Sequence, residues 1–191
     1  IIIKHSSFPA EPRSTENILP SPKILGSWGN RPKAFRPNSL VNIAGMSFGS
    51  LSGPAIEALN KGSLLAGCLH NTGEGGISSY HRHGGDLVYQ IGTGLFGSRD
   101  TVGNFSMDAL LETISETPVK AIEVKLSQGA KPGIGGVLPA KKVTSEIAAT
   151  RGIPKGVMVQ SPSKHTSFDD VSGLIDFVEL IACKTGLPVG I

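Results

Sequence analysis

The run VKAIEVKLSQGAKPGIGGVLP, residues 119–139, joins a strand pattern to a polar, glycine-rich continuation. Its first part is rich in Val and Ile, which predicts a strand over residues 119–126. Lys125 stands near the carboxyl end of that strand, where a purely structural strand would carry an apolar residue. Because the loops after parallel strands gather on one face and build active sites, this stretch predicts both the fold and the place of function.

Short apolar runs alternate with helical segments in the rest of the chain, which is typical of a parallel sheet built from βα units. We predict three earlier strands, at residues 39–46, 68–71 and 90–97, and a fifth apolar run at residues 187–191. The fifth run would leave a strand at an open edge, which natural domains rarely do. We therefore expect the chain to be a fragment or a truncated form of a longer domain.

Capping residues and apolar spacing predict three helices. Pro54 suits the first turn of one helix, and Ser106 caps a second helix that runs to Glu116. Ser167 and Asp170 form a capping box in front of the third helix. The predicted buried face of the first helix comprises Ala55, Leu59, Gly62 and Ala66, and that of the third comprises Phe168, Val171, Ile175, Val178 and Ala182.

Composition and proline placement predict the domain organisation. Prolines are frequent in residues 1–38, where they disfavour helices and central strands. We therefore predict an extended proline-rich arm at residues 1–38 and an α/β domain at residues 39–191. With 39% hydrophobic and 17% charged residues, the chain resembles average globular proteins and can bury one sizeable core.

Charge, hydropathy and cysteine content disfavour several classes of protein. The net charge of +3 is spread thinly, so we expect no nucleic-acid partner. No apolar run reaches the ~18 to 20 residues of a membrane span, so we expect no membrane partner. Cys68 and Cys183 show no CxxC spacing, which predicts buried, unpaired cysteines in a reducing cytoplasm. His81, His83 and His165 lack metal-site spacing, so no metal is expected.

Two segments that follow predicted strands hold candidate functional residues, each with a structural alternative. Lys125 either faces the N1–C2=O edge of a flavin or forms an ion pair with Glu123 or Glu74, and spacing alone favours neither. The segment NTGEGG, residues 71–76, either presents polar side chains to a planar ligand or is a tight turn capped by Asn71. Residue type alone favours the turn.

The loop QGAKPGIGG, residues 128–136, has the glycine content of a phosphate-binding loop. It lacks the GK[ST] ending and does not join a strand to a helix, so nucleotide binding is not predicted. Lys131 in its middle is either a solvated surface lysine or a cation for an anionic substrate. Residue type alone favours the surface position.

Five segments in chain order resemble the FMN-binding domain of glutamate synthases: NIAGMSFGSLS, HNTGEGGIS, QIGTGLFG, IEVKLSQGAKPGIGGVLPAKKVT and SPSKHTSF. The resemblance runs from about Ser39 to Ile191. It is greatest to the stand-alone glutamate synthase-like proteins that lack a fused glutaminase domain. It implies the first half of a (β/α)8 TIM barrel, with about four βα units and the start of strand five.

The resemblance also implies a reaction. In that family the barrel binds FMN, which an electron-donor protein or an NAD(P)H-linked subunit reduces. The flavin then reduces 2-iminoglutarate, formed from 2-oxoglutarate and ammonia, to L-glutamate. By position in the motifs, the implied cofactor contacts are Met46, Ser47, Gly49, Asn71, Thr72, Lys125 and Gln128. The implied catalytic residues are Glu74 and Lys131, with Lys131 holding the dicarboxylate or the imine.

Two departures limit what the resemblance implies. Ile134 stands where the family motif carries a polar residue, so a polar contact from that position is not expected. The loops that bind the flavin phosphate and the cysteines of an iron–sulfur cluster are expected in a C-terminal half that these residues do not include. We therefore expect the chain by itself to bind FMN weakly and to be inactive.

Two other functions stay open. One is another FMN barrel oxidoreductase that acts on a different imine or on a hydroxy acid. The other is a non-catalytic half-barrel that self-associates through its open strand edges. Residues at the substrate end of the site decide between the two enzymes, and size-exclusion chromatography tests for the association.

Overall fold

The computed structural model describes residues 23–128 and 133–191, and the statements below concern these residues. At the centre lies a sheet of four parallel strands, which confirms the predicted α/β class. The strands are β1 His70–Asn71, β2 Leu87–Ile91, β3 Val119–Val124 and β6 Val189–Gly190, and they lie side by side in the order β1-β2-β3-β6. Parallel strands with helices between them are compatible with part of a (β/α)8 barrel.

Four helices accompany the sheet in the described residues: α1 Gly53–Ala66, α2 Met107–Ser115, α3 Ser145–Arg151 and α4 Val171–Thr185. Pro54 lies in the first turn of α1, as predicted. The hydroxyl of Ser106 caps α2 by accepting a hydrogen bond from Ala109 N–H at 3.2 Å. Gly186 ends α4 with a φ of 72°, a left-handed conformation that favours glycine.

The main apolar core lies between one face of the sheet and helices α2 and α4. Alternate residues of β2, Leu87, Tyr89 and Ile91, are fully buried on that face. They pack with Ile122, Val124, Leu110, Phe177 and Ile181. Because side chains alternate across a strand, Gln90 and Glu123 project from the opposite face. The sheet therefore separates an apolar layer from a polar one.

The chain segment between β3 and α4 forms a second, smaller unit. Strand β4 Val137–Leu138 pairs in an antiparallel manner with β5 Val159–Gln160, and α3 lies between them in the chain. Leu138 packs with Phe48 and Ile147 in a separate apolar cluster. The sequence did not predict this unit because strands of 2 residues and a helix of 7 residues carry too little periodic pattern.

The prediction of a strand over residues 39–46 is wrong. In that segment Ile43 alone is recorded in a β-bridge, which is parallel and joins it to His70. Leu40 and Val41 are 71% and 79% exposed, so their apolar side chains do not pack in a core. The bridge still brings the end of this segment beside β1, at the carboxyl edge of the sheet.

The other strand predictions need smaller corrections. Strands are confirmed within residues 68–71 and 187–191, although each spans only 2 residues. The strand predicted at 90–97 lies earlier, because Leu95 N–H donates to Gly92 O at 3.0 Å and the chain turns there. The strand β3 ends at Val124, so Lys125 begins the loop that follows.

The buried face predicted for α1 is wrong. Its buried residues are Gly53, Ile56, Asn60 and Ser63, whereas Ala55, Leu59, Gly62 and Ala66 are at most partly buried. Asn60 Oδ1 accepts hydrogen bonds from His83 N–H at 3.0 Å and from Gly85 N–H at 3.3 Å. The helix thus packs through a polar contact, which a search for apolar spacing does not detect.

The start and the buried face of α4 also differ from the prediction. The N-cap is Asp170, whose carboxylate accepts a hydrogen bond from Gly173 N–H at 2.7 Å, and the Ser167 hydroxyl does not cap the helix. Val171 and Ile175 are 72% and 56% exposed. The buried residues of α4 are Phe177, Ile181, Ala182 and Thr185, because these face the sheet.

Candidate functional site

Three polar side chains from neighbouring strands form a row on the polar face of the sheet. The carboxylate of Glu123 accepts hydrogen bonds from Asn71 Nδ2 at 2.6 Å and from Gln90 Nε2 at 3.1 Å. Asn71 Oδ1 accepts a further hydrogen bond from Gly73 N–H at 2.9 Å, which forms the tight turn that residue type favours. We call these three residues the Asn71–Gln90–Glu123 row, and it fixes the orientation of both amides.

A charged cluster lies beyond the carboxyl ends of β1 and β3. Glu74 Oε1 accepts hydrogen bonds from Lys125 Nζ at 3.0 Å and from Gln128 Nε2. The side chains of Lys125 and Glu74 are 27% and 17% exposed, so solvent screens this ion pair only in part. Of the two ion-pair partners that the sequence left open for Lys125, the observed one is Glu74, while Glu123 binds two amides.

An open cavity of about 250 Å³ adjoins this cluster, and we call it the glycine-walled cavity. A Cβ atom at Gly73 would lie 2.5 Å from Ser47 N, and one at Gly45 would lie 2.9 Å from Asn71 Oδ1. Only glycine therefore allows these segments to approach so closely. The lining of the glycine-walled cavity includes Met46, Ser47, Glu74, Gln90, Lys125 and Gln128. An open cavity with a few convergent polar groups suits a small-molecule ligand.

A second, smaller cavity of about 50 Å³, the arginine cavity, shares Ser47 and Glu74 with the first. Arg151 in its wall is buried; its Nη2 donates to Phe48 O at 2.9 Å, and its Cζ lies 4.9 Å from the centre of the Phe96 ring. Burial lowers the pKa of Arg151, and the charge of Glu74 raises it. The Nε atom has no partner among the described residues, so the guanidinium retains a donor.

The backbone of Lys125 is held on both sides. Its N–H donates to Ile91 O at 2.9 Å, and its carbonyl accepts a hydrogen bond from His165 Nε2 at 2.8 Å. The His165 ring is buried and stacks on Phe168, with the ring centroids 5.0 Å apart. Burial lowers the pKa of His165, while the hydrogen bond to the Lys125 carbonyl raises it.

The structure brings most of the residues singled out from the sequence to one end of the sheet. Those that line the glycine-walled cavity are Met46, Ser47, Glu74, Lys125 and Gln128. Asn71 belongs to the row described above, and Thr72 is fully buried. The Thr72 hydroxyl donates to Gly73 O at 2.9 Å and accepts from Gln90 N–H at 3.2 Å, so it contacts backbone groups.

Two further sequence predictions concern the edge of the site. Gly49 has a φ of 102°, and a Cβ there would lie 3.1 Å from Arg151 Nη2, so this glycine makes room for the guanidinium. Lys131 lies outside the described residues. Ile134 is 55% exposed, in the loop that leads to β4.

Sequence reasoning missed three residues that the structure places at or beside the cavities: Gln90, Arg151 and His165. Gln90 carried a usable signal, because it interrupts the apolar run LVYQI. Arg151 ends a short helix, where an exposed arginine is the ordinary expectation. His165 lies in the segment SPSKHTSF, in which no residue type or spacing indicates contact with Lys125.

The structure also bears on the predictions about metal, cysteine and membrane. In residues 23–128 and 133–191, no group of three or more His, Cys, Asp or Glu side chains is arranged to hold a metal ion. Both cysteines are free, but Cys68 is half-buried and Cys183 is exposed, so the prediction that both are buried is wrong. None of the helices in the described part of the chain is long and apolar enough to cross a membrane.

Comparison with known proteins identifies similar sequences. Residues 26–191 match the protein family whose description is "conserved region in glutamate synthase". The chain is 42% identical over 161 residues to the glutamate synthase large subunit-like protein YerD of Bacillus subtilis (strain 168), covering 83% of this chain and 30% of that protein. It is 37% identical over 142 residues to an archaeal glutamate synthase (NADPH) of Methanocaldococcus jannaschii, covering 74% and 25%. The chain thus spans 30% and 25% of the length of these two relatives.

Proposed function

The chain belongs to the glutamate synthase family, and we propose that its residues form part of a cytoplasmic, FMN-dependent oxidoreductase that makes L-glutamate. The proposed substrate is 2-iminoglutarate, which arises from 2-oxoglutarate and ammonia. An electron-donor protein or an NAD(P)H-linked subunit would supply the electrons. In this proposal the sheet is part of a (β/α)8 barrel, and an iron–sulfur cluster lies outside these residues.

The observation that carries the proposal is the meeting of two cavities at Glu74. The glycine-walled cavity combines close backbone approach with the ammonium group of Lys125. The arginine cavity adds a buried guanidinium on the other side of the same carboxylate. A flavin edge and an anionic substrate each require a cation, so ligands in the two cavities would meet beside Glu74.

The walls of the glycine-walled cavity suit FMN chemically. Gly45 and Gly73 let two chain segments lie directly against each other, and both glycines line the cavity, so its wall there carries no side chain. Lys125 would stabilise negative charge at the N1–C2=O edge of the reduced ring. Gln90 and Gln128 offer amide groups to the polar edge of the ring system. When bound, FMN would supply the hydride that reduces the imine carbon.

The arginine cavity suits a carboxylate of the substrate. The planar guanidinium of Arg151 presents several N–H groups, a geometry that matches a carboxylate. Ser47 and Ser161 add hydroxyl groups to the same cavity. Glu74, which accepts hydrogen bonds from Lys125 and Gln128, would also accept a hydrogen bond from the protonated imine nitrogen. Lys131 stays in the proposal as a second cation for the dicarboxylate.

The test uses the purified full-length protein with whatever chromophore it binds. We expect FMN to be released on denaturation, and we expect 2-oxoglutarate with ammonium to oxidise the reduced flavin and yield glutamate. Glu74→Gln should lower the turnover number about 100-fold or more and leave FMN bound. Arg151→Gln should weaken the apparent affinity for the oxo acid, seen as a rise in its KM by roughly 10- to 100-fold, the scale of one charged hydrogen bond pair.

A matched control is available on the surface. The ion pair of Lys164 with Asp169 is exposed, so Lys164→Gln should leave both the turnover number and the KM unchanged. If the full-length protein releases no FMN, or if 2-oxoglutarate and ammonium do not oxidise its reduced form, the proposed function is wrong.

The apolar side of the arginine cavity supports a second candidate substrate. Beside Arg151, the cavity is lined by Phe96, Val137, Leu138 and Val159. These side chains would suit an imino acid with an apolar side chain, reduced by the same chemistry. The discriminating experiment supplies ammonium with either 2-oxoglutarate or 2-oxoisocaproate and compares the catalytic efficiencies of the two reactions. A preference of about tenfold or more for 2-oxoisocaproate would replace the glutamate assignment.

A further inference from the structure

The segment between β5 and α4 reaches the site through the imidazole of His165. Its Nε2 lies 2.8 Å from the carbonyl oxygen of Lys125. A carbonyl oxygen only accepts hydrogen bonds, so Nε2 carries the proton in this contact. The other ring nitrogen, Nδ1, is buried and has no partner among the described residues. Among the described residues, the imidazole therefore forms a hydrogen bond only with the Lys125 backbone.

Packing holds the His165 ring in place. The ring is 2% exposed, lies nearly parallel to Phe168 at an interplanar angle of 24°, and lies 6.5 Å from the ring of Phe177 in α4. A ring packed on two sides loses little further freedom when it donates its hydrogen bond. His165 is thus a fixed donor at the boundary between α4 and the end of β3.

The position of Lys125 depends on this donor because the chain leaves the strand there. On the β2 side, Lys125 N–H still bonds to Ile91 O, but its carbonyl no longer belongs to the sheet. Lysine carries its charge on a flexible four-carbon stem, so the backbone has to fix the direction from which that stem begins. Gln128, which also donates to Glu74 Oε1, follows three positions later in the same loop.

We propose that His165 is a positioning residue that fixes the Lys125 carbonyl and thereby directs the Lys125 ammonium towards Glu74. For its effect on a flavin, the proposal rests on the proposed function. Its structural part, the contact between Lys125 and Glu74, does not. Loss of the imidazole N–H releases the first residue of the loop and frees the ammonium from Glu74.

The experiment compares two substitutions of His165 in the full-length protein. His165→Phe keeps a ring to stack on Phe168 but removes the N–H, and His165→Gln restores an N–H at a similar reach. The first readout is the rate at which an amine-reactive acetylating reagent modifies Lys125, measured by mass spectrometry. This rate is divided by the rate for Lys120, the exposed lysine on β3. We expect His165→Phe to raise this relative rate roughly threefold to tenfold, the scale of one lost hydrogen bond, and His165→Gln to restore it.

A matched control separates positioning from general loosening of the segment. Phe168→Leu removes the stacked ring but still covers the imidazole with an apolar side chain, leaves Phe177 in place and keeps the N–H, so it should change the relative rate less than twofold. The proposal is overturned if His165→Phe leaves the rate unchanged, if His165→Gln fails to restore it, or if Phe168→Leu raises it as much. None of these outcomes depends on a bound flavin.

The second readout is the reduction potential of the bound flavin. We expect His165→Phe to lower the ratio of reduced to oxidised flavin at a fixed potential about threefold to tenfold, which corresponds to roughly 14 to 30 mV. If the labelling of Lys125 changes and the potential does not, His165 positions Lys125 but the role proposed for Lys125 at the flavin is wrong. The two proposals can therefore fail separately.

Discussion

Adjacent residues of β1 project to opposite faces of the sheet and belong to two different polar clusters. His70 faces Asn60 of α1, and its ring centroid lies 5.4 Å from that of His81. Asn71 faces the site and binds Glu123. Among the described residues, Nε2 of His70 and Nε2 of His81 are both buried without a partner. In the Asn71–Gln90–Glu123 row, by contrast, a carboxylate is bonded to two amides.

The two clusters differ in whether they tolerate charge. Burial lowers the pKa of His70; burial, together with the charge of His70, lowers the pKa of His81 to about 3. Ser78 N–H donates to His81 Nδ1 at 3.1 Å, which the neutral ring accepts. The row beneath the glycine-walled cavity instead supports a carboxylate. Buried polar groups are thus present on both faces of the sheet, but only those of the row lie beside an open cavity with a charged cluster.

Acid should break the histidine cluster, and we expect this to be the largest effect. The pKa of His81 in the folded protein lies below its usual 6.5, so the unfolded chain binds the proton first as pH falls. The resulting stability is complete above pH 6.5 and is lost between pH 6.5 and about 3. The loss should be on the order of 4 kcal/mol.

Urea unfolding between pH 7 and pH 3.5 measures this loss. His81→Leu should reduce the dependence of the unfolding free energy on pH. The matched control is His83→Gln, because His83 is partly exposed, at 32%, and lies 3.9 Å from Glu57. An unfolding free energy that stays constant across this range would show that the histidine cluster accommodates charge after all.

The second prediction concerns the Asn71–Gln90–Glu123 row on the other face of the sheet. Glu123→Leu leaves the amide groups of Asn71 and Gln90 without their acceptor, so it should lower the free energy of unfolding by about 2 to 4 kcal/mol. Urea unfolding at pH 7 measures it. Glu116→Leu is the control: its ion pair with Arg82 is exposed and should contribute no more than about 1 kcal/mol. Equal effects of the two substitutions would argue against the row.

The third prediction concerns Lys125, where stability should change little and function much. Glu74 lines an open cavity and keeps its hydrogen bond from Gln128, so Lys125→Met should alter the free energy of unfolding by only about 1 kcal/mol. Loss of the cation should lower the flavin reduction potential of the full-length protein by roughly 30 to 65 mV, since one charged hydrogen bond is worth ~1.5 to 3 kcal/mol.

Redox titration of the bound flavin measures this shift. Lys120→Met is the matched control, because Lys120 lies on the same strand and is 44% exposed beside Asp86. It should leave the potential unchanged. If Lys125→Met binds FMN fully and its flavin reduction potential is unchanged, Lys125 forms an ion pair with Glu74 but does not stabilise the reduced flavin.

Local patterns in the sequence determined the fold class and several elements. The Val and Ile residues within 119–124 predict β3, and the Ser106 side chain caps α2 as its type suggests. These features depend on residues within one or two turns of each other, so the sequence displays them directly. The order of glycine-rich segments likewise indicated which end of the sheet carries the site.

Only the tertiary structure decided which side chains meet there. Lys125 had two possible ion-pair partners from its spacing, Glu123 and Glu74, and the fold pairs it with Glu74, 51 positions away. Arg151 enters the site by bonding to the backbone of Phe48, 103 positions away, and His165 by bonding to the backbone of Lys125. Contacts between distant segments are fixed by how the layers pack, and packing leaves no periodic trace in the residues on either side. The sequence could therefore propose the site residues, while the folded chain paired them.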